Sequence, residues 1–383
     1  MNLRTLVAII VSISIVQSCR NTAIEDRYSF NAPTIKRINI ETRWVQLDSL
    51  NLDNISMSSV GEISFQNTNI YFIDEKFAFV SKFDTSGKFK GRYIGQGSGP
   101  NELPISTITF FSPLPDGGFF FIGPSWDCFR FNSSFKRVDD YSVNWNSKAS
   151  KKEMGKHPDP ADTKVYSFAY GACPMRTDGD NLYLPIISQH PLFNPLSESY
   201  PGNARILASM YIKNGSVTRI FGRLSPIYSK NKNVSTFSYA SFDLLPGNRL
   251  AMSYPADSLI YLFDNNFDLL EIFGSSGRNM DLNYHSATSL KDFRNNWHSE
   301  TENRGYYRSM KFIDVRNLLF RSYQKGGKEI SDGLQIYKGD TLVADLDVPK
   351  GFSVEGYIAP YFYSNAFIND EKGTIRLYRF KLH

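Results

Sequence analysis

The densest grouping of chemically able side chains is Trp297-His298, followed at alternate positions by Glu300, Glu302 and Arg304. An indole can stack on a sugar ring while carboxylates and a guanidinium hydrogen-bond its hydroxyls. The same imidazole and carboxylates could ligate a metal, but no second well-placed histidine accompanies His298, and zinc centres draw on several such ligands. His298 with Glu300 is also the best acid/base pair the chain offers for hydrolase or lyase chemistry. A solvated loop or short helix accounts for the same run without any ligand, because charged side chains are mostly surface side chains. These five residues are the candidate ligand-binding set, and no catalytic residue, metal site or cofactor is assigned.

Other candidates are weaker. Gly95, Gly97 and Gly99 could cradle a phosphate with their backbone N–H groups, but no Lys-Ser/Thr pair or helix start follows them. Pro100 and Pro104 fit an ordinary irregular loop better. His157, His190, His285 and His383 are scattered, and no nucleophile-elbow, zinc-helix or calcium-loop pattern is present. Catalytic groups can still converge from distant loops, so an enzyme is disfavoured rather than excluded.

The amino terminus carries an address. Arg4 is followed by an apolar run over residues 6–16, broken only by Ser12 and Ser14, and then by Ser18-Cys19. That run is shorter than the roughly 20 residues a membrane-spanning helix needs. Val16-Gln17-Ser18-Cys19 resembles the lipobox of bacterial lipoproteins, with Gln17 bulkier than the usual residue there. The resemblance implies a signal peptide over residues 1–18, lipidation of Cys19 and a membrane held through that anchor. Residues 19–36 are polar and irregular and read as a tether. Arg20 is not the aspartate that commonly retains such proteins in an inner membrane, so an outer-membrane lipoprotein, periplasmic or surface-facing, is expected.

Composition bounds the body that this anchor would carry. The chain has 383 residues and a formal net charge of +5 that is spread along its length. No dense basic block appears beyond residues 148–156, which leaves nucleic-acid binding without support. Cys128 and Cys173 are the only cysteines after Cys19; they could pair in an oxidising compartment, with two buried thiols as the default. Phe and Tyr are abundant and no long amphipathic helix stands out, so the chain reads as all-β.

A four-strand unit recurs. Its clearest copy spans residues 237–274, with turns at Pro246-Gly247-Asn248, Pro255-Ala256-Asp257-Ser258 and Asn265-Asn266. Further copies cover residues 105–143, 170–221 and 310–348; an earlier one ends at residue 94, and the last ends at residues 375–380. The last copy lacks a fourth strand, and residues 37–48 form a strand-like segment that belongs to no other copy. Pairing these two would close a ring without an exposed edge. The expected architecture over residues 37–383 is therefore a single six-bladed β-propeller of four-stranded antiparallel blades, closed by an N-terminal strand. Two β-sandwiches would use the same alternation and turns.

Gly87-Lys88 with Ile94-Gly95-Gln96-Gly97-Ser98-Gly99-Pro100-Asn101-Glu102 resembles a signature of six-bladed propeller lipoproteins found in Bacteroidota, families largely of unknown function. That resemblance brings no catalytic residues with it. Strand alternation puts the blade-to-blade and second-to-third connections on one face, and these hold the insertions at residues 95–104, 144–169, 189–205, 222–235 and 274–309. Long loops on one face of a rigid scaffold usually carry binding. The expected function is a non-enzymatic binding module for a glycan, a peptide or an envelope partner. The alternative is an envelope hydrolase or lyase with a loop-built active site.

Overall fold

A computed structural model describes residues 45–147, 149–169, 175–230, 235–369 and 371–382. The signal segment, Cys19, the tether, residues 37–44 of the expected closing strand, and Cys173 lie outside the described residues.

The strands form six antiparallel sheets arranged as the blades of a propeller. The first blade consists of Gly61–Gln66, Asn69–Asp74, Phe79–Phe83 and Phe89–Ile94. The second consists of Phe110–Pro113, Phe119–Ile122, Asp127–Phe131 and Arg137–Ser142. In the third, the short strands Tyr166–Phe168 and Arg176–Asp178 share the inner edge of Asn181–Ser188, followed by Leu207–Tyr211 and Ser216–Phe221. The fourth blade is Ser241–Leu245, Arg249–Ser253, Ile260–Phe263 and Leu269–Phe273, with the turns read from the sequence. Gly247 and Asn248 take φ of 77° and 58° in its first turn, a conformation that glycine and asparagine adopt most readily. Tyr306–Ile313, Leu318–Gln324, Asp332–Lys338 and Thr341–Val348 make the fifth.

The sixth blade is completed from the other end of the chain. Val354–Ile358, Tyr361–Ser364 and Thr374–Phe380 supply three strands, and Asp48–Asn51 supplies the outermost, pairing Leu50 with Leu377. The ring therefore closes as the sequence implied, but the described closing strand starts at Asp48, where the expected segment ended. Side chains account for that register. The Arg379 guanidinium grips Asp48 at 2.7 Å, Arg376 donates to Asn51 at 3.1 Å, and Leu50 is buried beside Leu377.

The hydrophobic core lies between blades rather than at the centre. Separate apolar clusters join blades one and two, two through four, four and five, five and six, and six and one. A second strand is sandwiched between neighbouring blades on both faces, which is why Phe119–Ile122 is apolar throughout and wholly buried. The run holding the candidate residues, read as a solvated loop or short helix, is the 14-residue helix Leu290–Asn303 between blades four and five. Ser289 caps it, its hydroxyl accepting from the Asp292 N–H at 3.1 Å. Its largely polar sequence carries no strong apolar stripe to announce it.

Candidate functional site

With the core displaced between blades, the innermost strands edge an axial channel of about 740 Å³. Its walls combine the starts of first strands, at Glu62, Phe111, Arg176 and Arg308, with connecting segments such as Glu75 and Tyr239. First strands begin where the blade-to-blade connections arrive, so the channel opens on the loop-rich face. Its volume falls within the range of small-ligand sites, about 300–1,000 Å³.

The channel is charged. Every blade but the second places an ionisable residue on its first strand: Glu62, Arg176, Asp243, Arg308 with Lys311, and Glu355. Some of this charge is neutralised internally. Arg176 Nε donates to Asp243 Oδ1 at 2.6 Å, with 13% and 7% of their side chains exposed. The other Asp243 oxygen accepts from the Phe312 N–H at 2.7 Å, and Arg176 reaches the Met310 carbonyl at 3.3 Å. This one pair thus ties the third, fourth and fifth blades together around the channel.

The remaining groups keep free valence. Glu62 and Glu75 make no hydrogen bond or ion pair through their side chains among the described residues, and neither does the Lys311 amine. Glu355 accepts from the Ser353 hydroxyl at 2.6 Å through one oxygen. Among the described residues, the Arg308 guanidinium has a charged partner only in Asp332, at a loose 3.6 Å. Enclosure by protein pushes the Glu62 carboxyl up to about 8, with the charges of Glu355 and Glu75 adding to the rise and Arg176 opposing it. Channel water still reaches Glu62, whose side chain is exposed to it, and moderates that effect. Burial likewise raises the Glu75 carboxyl, with Asp74 adding to it, and burial lowers the Lys311 ammonium with help from Arg176.

The five candidate residues read from the sequence sit on and just after the helix Leu290–Asn303, and none of them lines the channel. Glu300 is buried, accepting from the His285 N–H at 2.7 Å and from Arg304 Nε at 3.2 Å. Arg304 also binds Asp281 at 2.9 Å, so this acid and this base tie the helix to the loop before it. Trp297, His298 and Glu302 are exposed, with the indole and imidazole in edge contact at 5.2 Å.

The glycine signature has a structural explanation. Glu102 folds back so that its carboxylate accepts from the Gly99 N–H at 2.8 Å, while Leu103 bridges to Gly95 and Gly97 and is wholly buried. A Cβ at Gly97 would stand 2.0 Å from the Glu102 carboxylate. Gly97 and Gly99 thus admit a glutamate of their own loop, whereas Gly95 has open space beside it and takes a φ of 132°. On the opposite face, a smaller cavity of about 200 Å³ lies between blades three and four, where Arg219 lies over Phe221 at 4.3 Å and donates to the Asn265 carbonyl.

The channel residues escaped the sequence reading because they lie far apart and belong to no motif. A signal was present: a charge on the first strand of every repeat but the second, which includes the channel residues Glu62, Arg176, Arg308 and Glu355.

No protein-family model matches the chain, and neither does any curated protein sequence. Solved structures do. A member of the DUF4221 family from Bacteroides vulgatus superposes with a TM-score of 0.63 at 13% identity, covering 88% of this chain and 98% of that one. A Bacteroides fragilis protein named for its expected export superposes with a TM-score of 0.53 at 14% identity, covering 90% of this chain and 99% of that one. At these identities the likeness establishes a shared fold, so the resemblance carried by the glycine signature holds as a common six-bladed propeller architecture with proteins of Bacteroides.

Proposed function

We propose that this chain is an exported envelope lipoprotein, anchored in the outer membrane through Cys19, whose propeller is a non-enzymatic binding module. Its ligand, a peptide, a glycan or an exposed segment of an envelope partner, enters the axial channel from the loop-rich face. The observation that carries this reading is the channel itself: ligand-sized, open, and lined by charged groups that the fold does not consume. Unpaired charge facing an enclosed space is costly unless something meets it. The Cys19 motif supports the anchor, and the export implied by the name of the B. fragilis neighbour agrees with an envelope location.

Two measurements test this. Cys19→Ala is expected to move the protein from the membrane to the soluble fraction of the cell. A thermal-shift screen of peptides and oligosaccharides against the chain and its Glu355→Gln variant is expected to find hits that the variant loses. A soluble wild-type protein, or hits unaffected by substitutions throughout the channel, would overturn the corresponding half of the proposal.

A further inference from the structure

The charges in the channel are of both signs, and their arrangement restricts what the binding reading above leaves open. Glu62 and Glu75 belong to the first blade and Glu355 to the sixth. Arg308 and Lys311 belong to the fifth. The first strands of blades one and six are in contact, as are those of blades six and five. One arc of the channel thus runs from carboxylate through carboxylate to guanidinium.

The groups at the two ends of this arc are available. Arg308 makes no hydrogen bond among the described residues, and only its 3.6 Å approach to Asp332 offsets its charge. Asp332 is buried, one oxygen accepting from the Gly351 N–H at 2.8 Å and the other without a partner, so Arg308 is its counter-charge at 3.6 Å while the guanidinium N–H groups keep free valence. A guanidinium with free N–H groups is the side chain best shaped to take a carboxylate through two parallel hydrogen bonds. On blades one and six, three carboxyl groups line the channel, and only Glu355 has a side-chain partner, Ser353. Burial, with crowding by Glu355 and Glu75, keeps Glu62 protonated until a cation joins them. Lys311 follows three residues on along the same strand as Arg308 and does not line the channel.

We infer that the channel binds a zwitterionic ligand of the free-peptide class, its carboxylate on Arg308 and its ammonium among Glu62, Glu75 and Glu355. The other classes fit less well. A neutral glycan would desolvate both sets of charges and neutralise neither. A polyanion would meet the three carboxyl groups, and a polyamine would meet Arg308. Only a ligand carrying both charges meets the carboxyl groups and the guanidinium together. Tyr239 and Tyr306 also line the channel, the Tyr306 ring stacked on Phe237 at 4.8 Å.

This inference rests on the binding-module reading, and titration calorimetry with the detergent-solubilised full chain separates the two. The probes are trialanine, N-acetyl-trialanine, trialanine amide and maltotriose. Trialanine is expected to bind, with either cap weakening it by about tenfold or more. Arg308→Gln is expected to weaken trialanine to the level of its amide while leaving the amide itself unchanged. Glu62→Gln combined with Glu355→Gln is expected to do the same for the acetylated peptide. Arg308→Lys, which keeps the charge but not the fork, should fall between wild type and Arg308→Gln. Because Arg308→Gln also strands buried Asp332 and lowers the unfolding midpoint, it is the unchanged affinity for the amide that shows the binding loss is not a folding defect. Capped peptides that bind as tightly as trialanine would overturn the inference. So would maltotriose binding in the absence of peptide binding, an outcome that leaves the module reading standing. Failure of all four probes would overturn this inference and leave the module reading to the thermal-shift screen.

Discussion

Arg176 and Asp243 meet at the wall of the channel, and their surroundings make the pair's two halves unequal. Asp243 would keep two donors without Arg176, the Phe312 N–H at 2.7 Å and the Leu244 N–H at 3.0 Å. Arg176 without Asp243 would keep only the Met175 and Met310 carbonyls, at 3.1 and 3.3 Å, with the Lys311 ammonium nearby. Removing one partner of a buried pair typically costs about 3–5 kcal/mol, chiefly through the charge left behind. Channel water lowers both figures for a wall position, so Asp243→Asn should cost about 3 kcal/mol and Arg176→Gln about 2 kcal/mol. The double variant should cost less than their sum, giving a coupling of about 2 kcal/mol, since neither charge is then stranded. Urea denaturation followed by tryptophan fluorescence and circular dichroism measures all three, and coincident transitions justify the free energies. The reasoning fails if Arg176→Gln proves the more damaging substitution, or if the coupling is below about 0.5 kcal/mol.

Other predictions follow from buried groups. Arg321 is fully buried over the Tyr307 ring at 3.3 Å and donates to the carbonyls of Asp257, Ser258 and Leu259; Arg321→Met should cost about 3–5 kcal/mol in the same denaturation assay, and a neutral result would deny its role in joining blades four and five. Glu62 holds its proton in the folded chain up to about pH 8, against 4.5 for an ordinary glutamate, so its contribution to stability is present below pH 4.5 and is lost as the pH rises to 8. Glu62→Gln should therefore gain about 1–2 kcal/mol at pH 8.5 after allowance for screening by channel water, and nothing at pH 4; equal effects at both would contradict the assignment. Burial, with help from Asp127, pushes the Cys128 thiol up to about 12, so iodoacetamide at pH 8 should leave its tryptic peptide unmodified until the protein is unfolded.

The blades were legible because each is a local object. Pro246-Gly247-Asn248 and Asn265-Asn266 mark turns whose dihedrals these residues supply, and the strands between them pair with their sequence neighbours. Ring closure was legible for a related reason, since an incomplete last unit requires a strand from elsewhere. Its register was not, because it depends on Arg379 finding Asp48 across more than three hundred residues. The candidate site drawn from sequence was the tightest local cluster, yet the structure spends Glu300 and Arg304 on holding a helix to its loop.

By itself, the sequence determined the repeat, the number of blades, the face that bears the long loops, and the motif at Cys19. All of these depend on residues within a few positions of one another. Only the tertiary structure decided that Glu62, Glu75, Arg176, Arg308 and Glu355 surround one channel, and which of them are already satisfied there. The physical reason is that a propeller converts the first strand of each repeat into one stave of a shared wall. Residues from blades far apart in sequence become neighbours through ring closure, and their charges interact through space with no trace in local spacing.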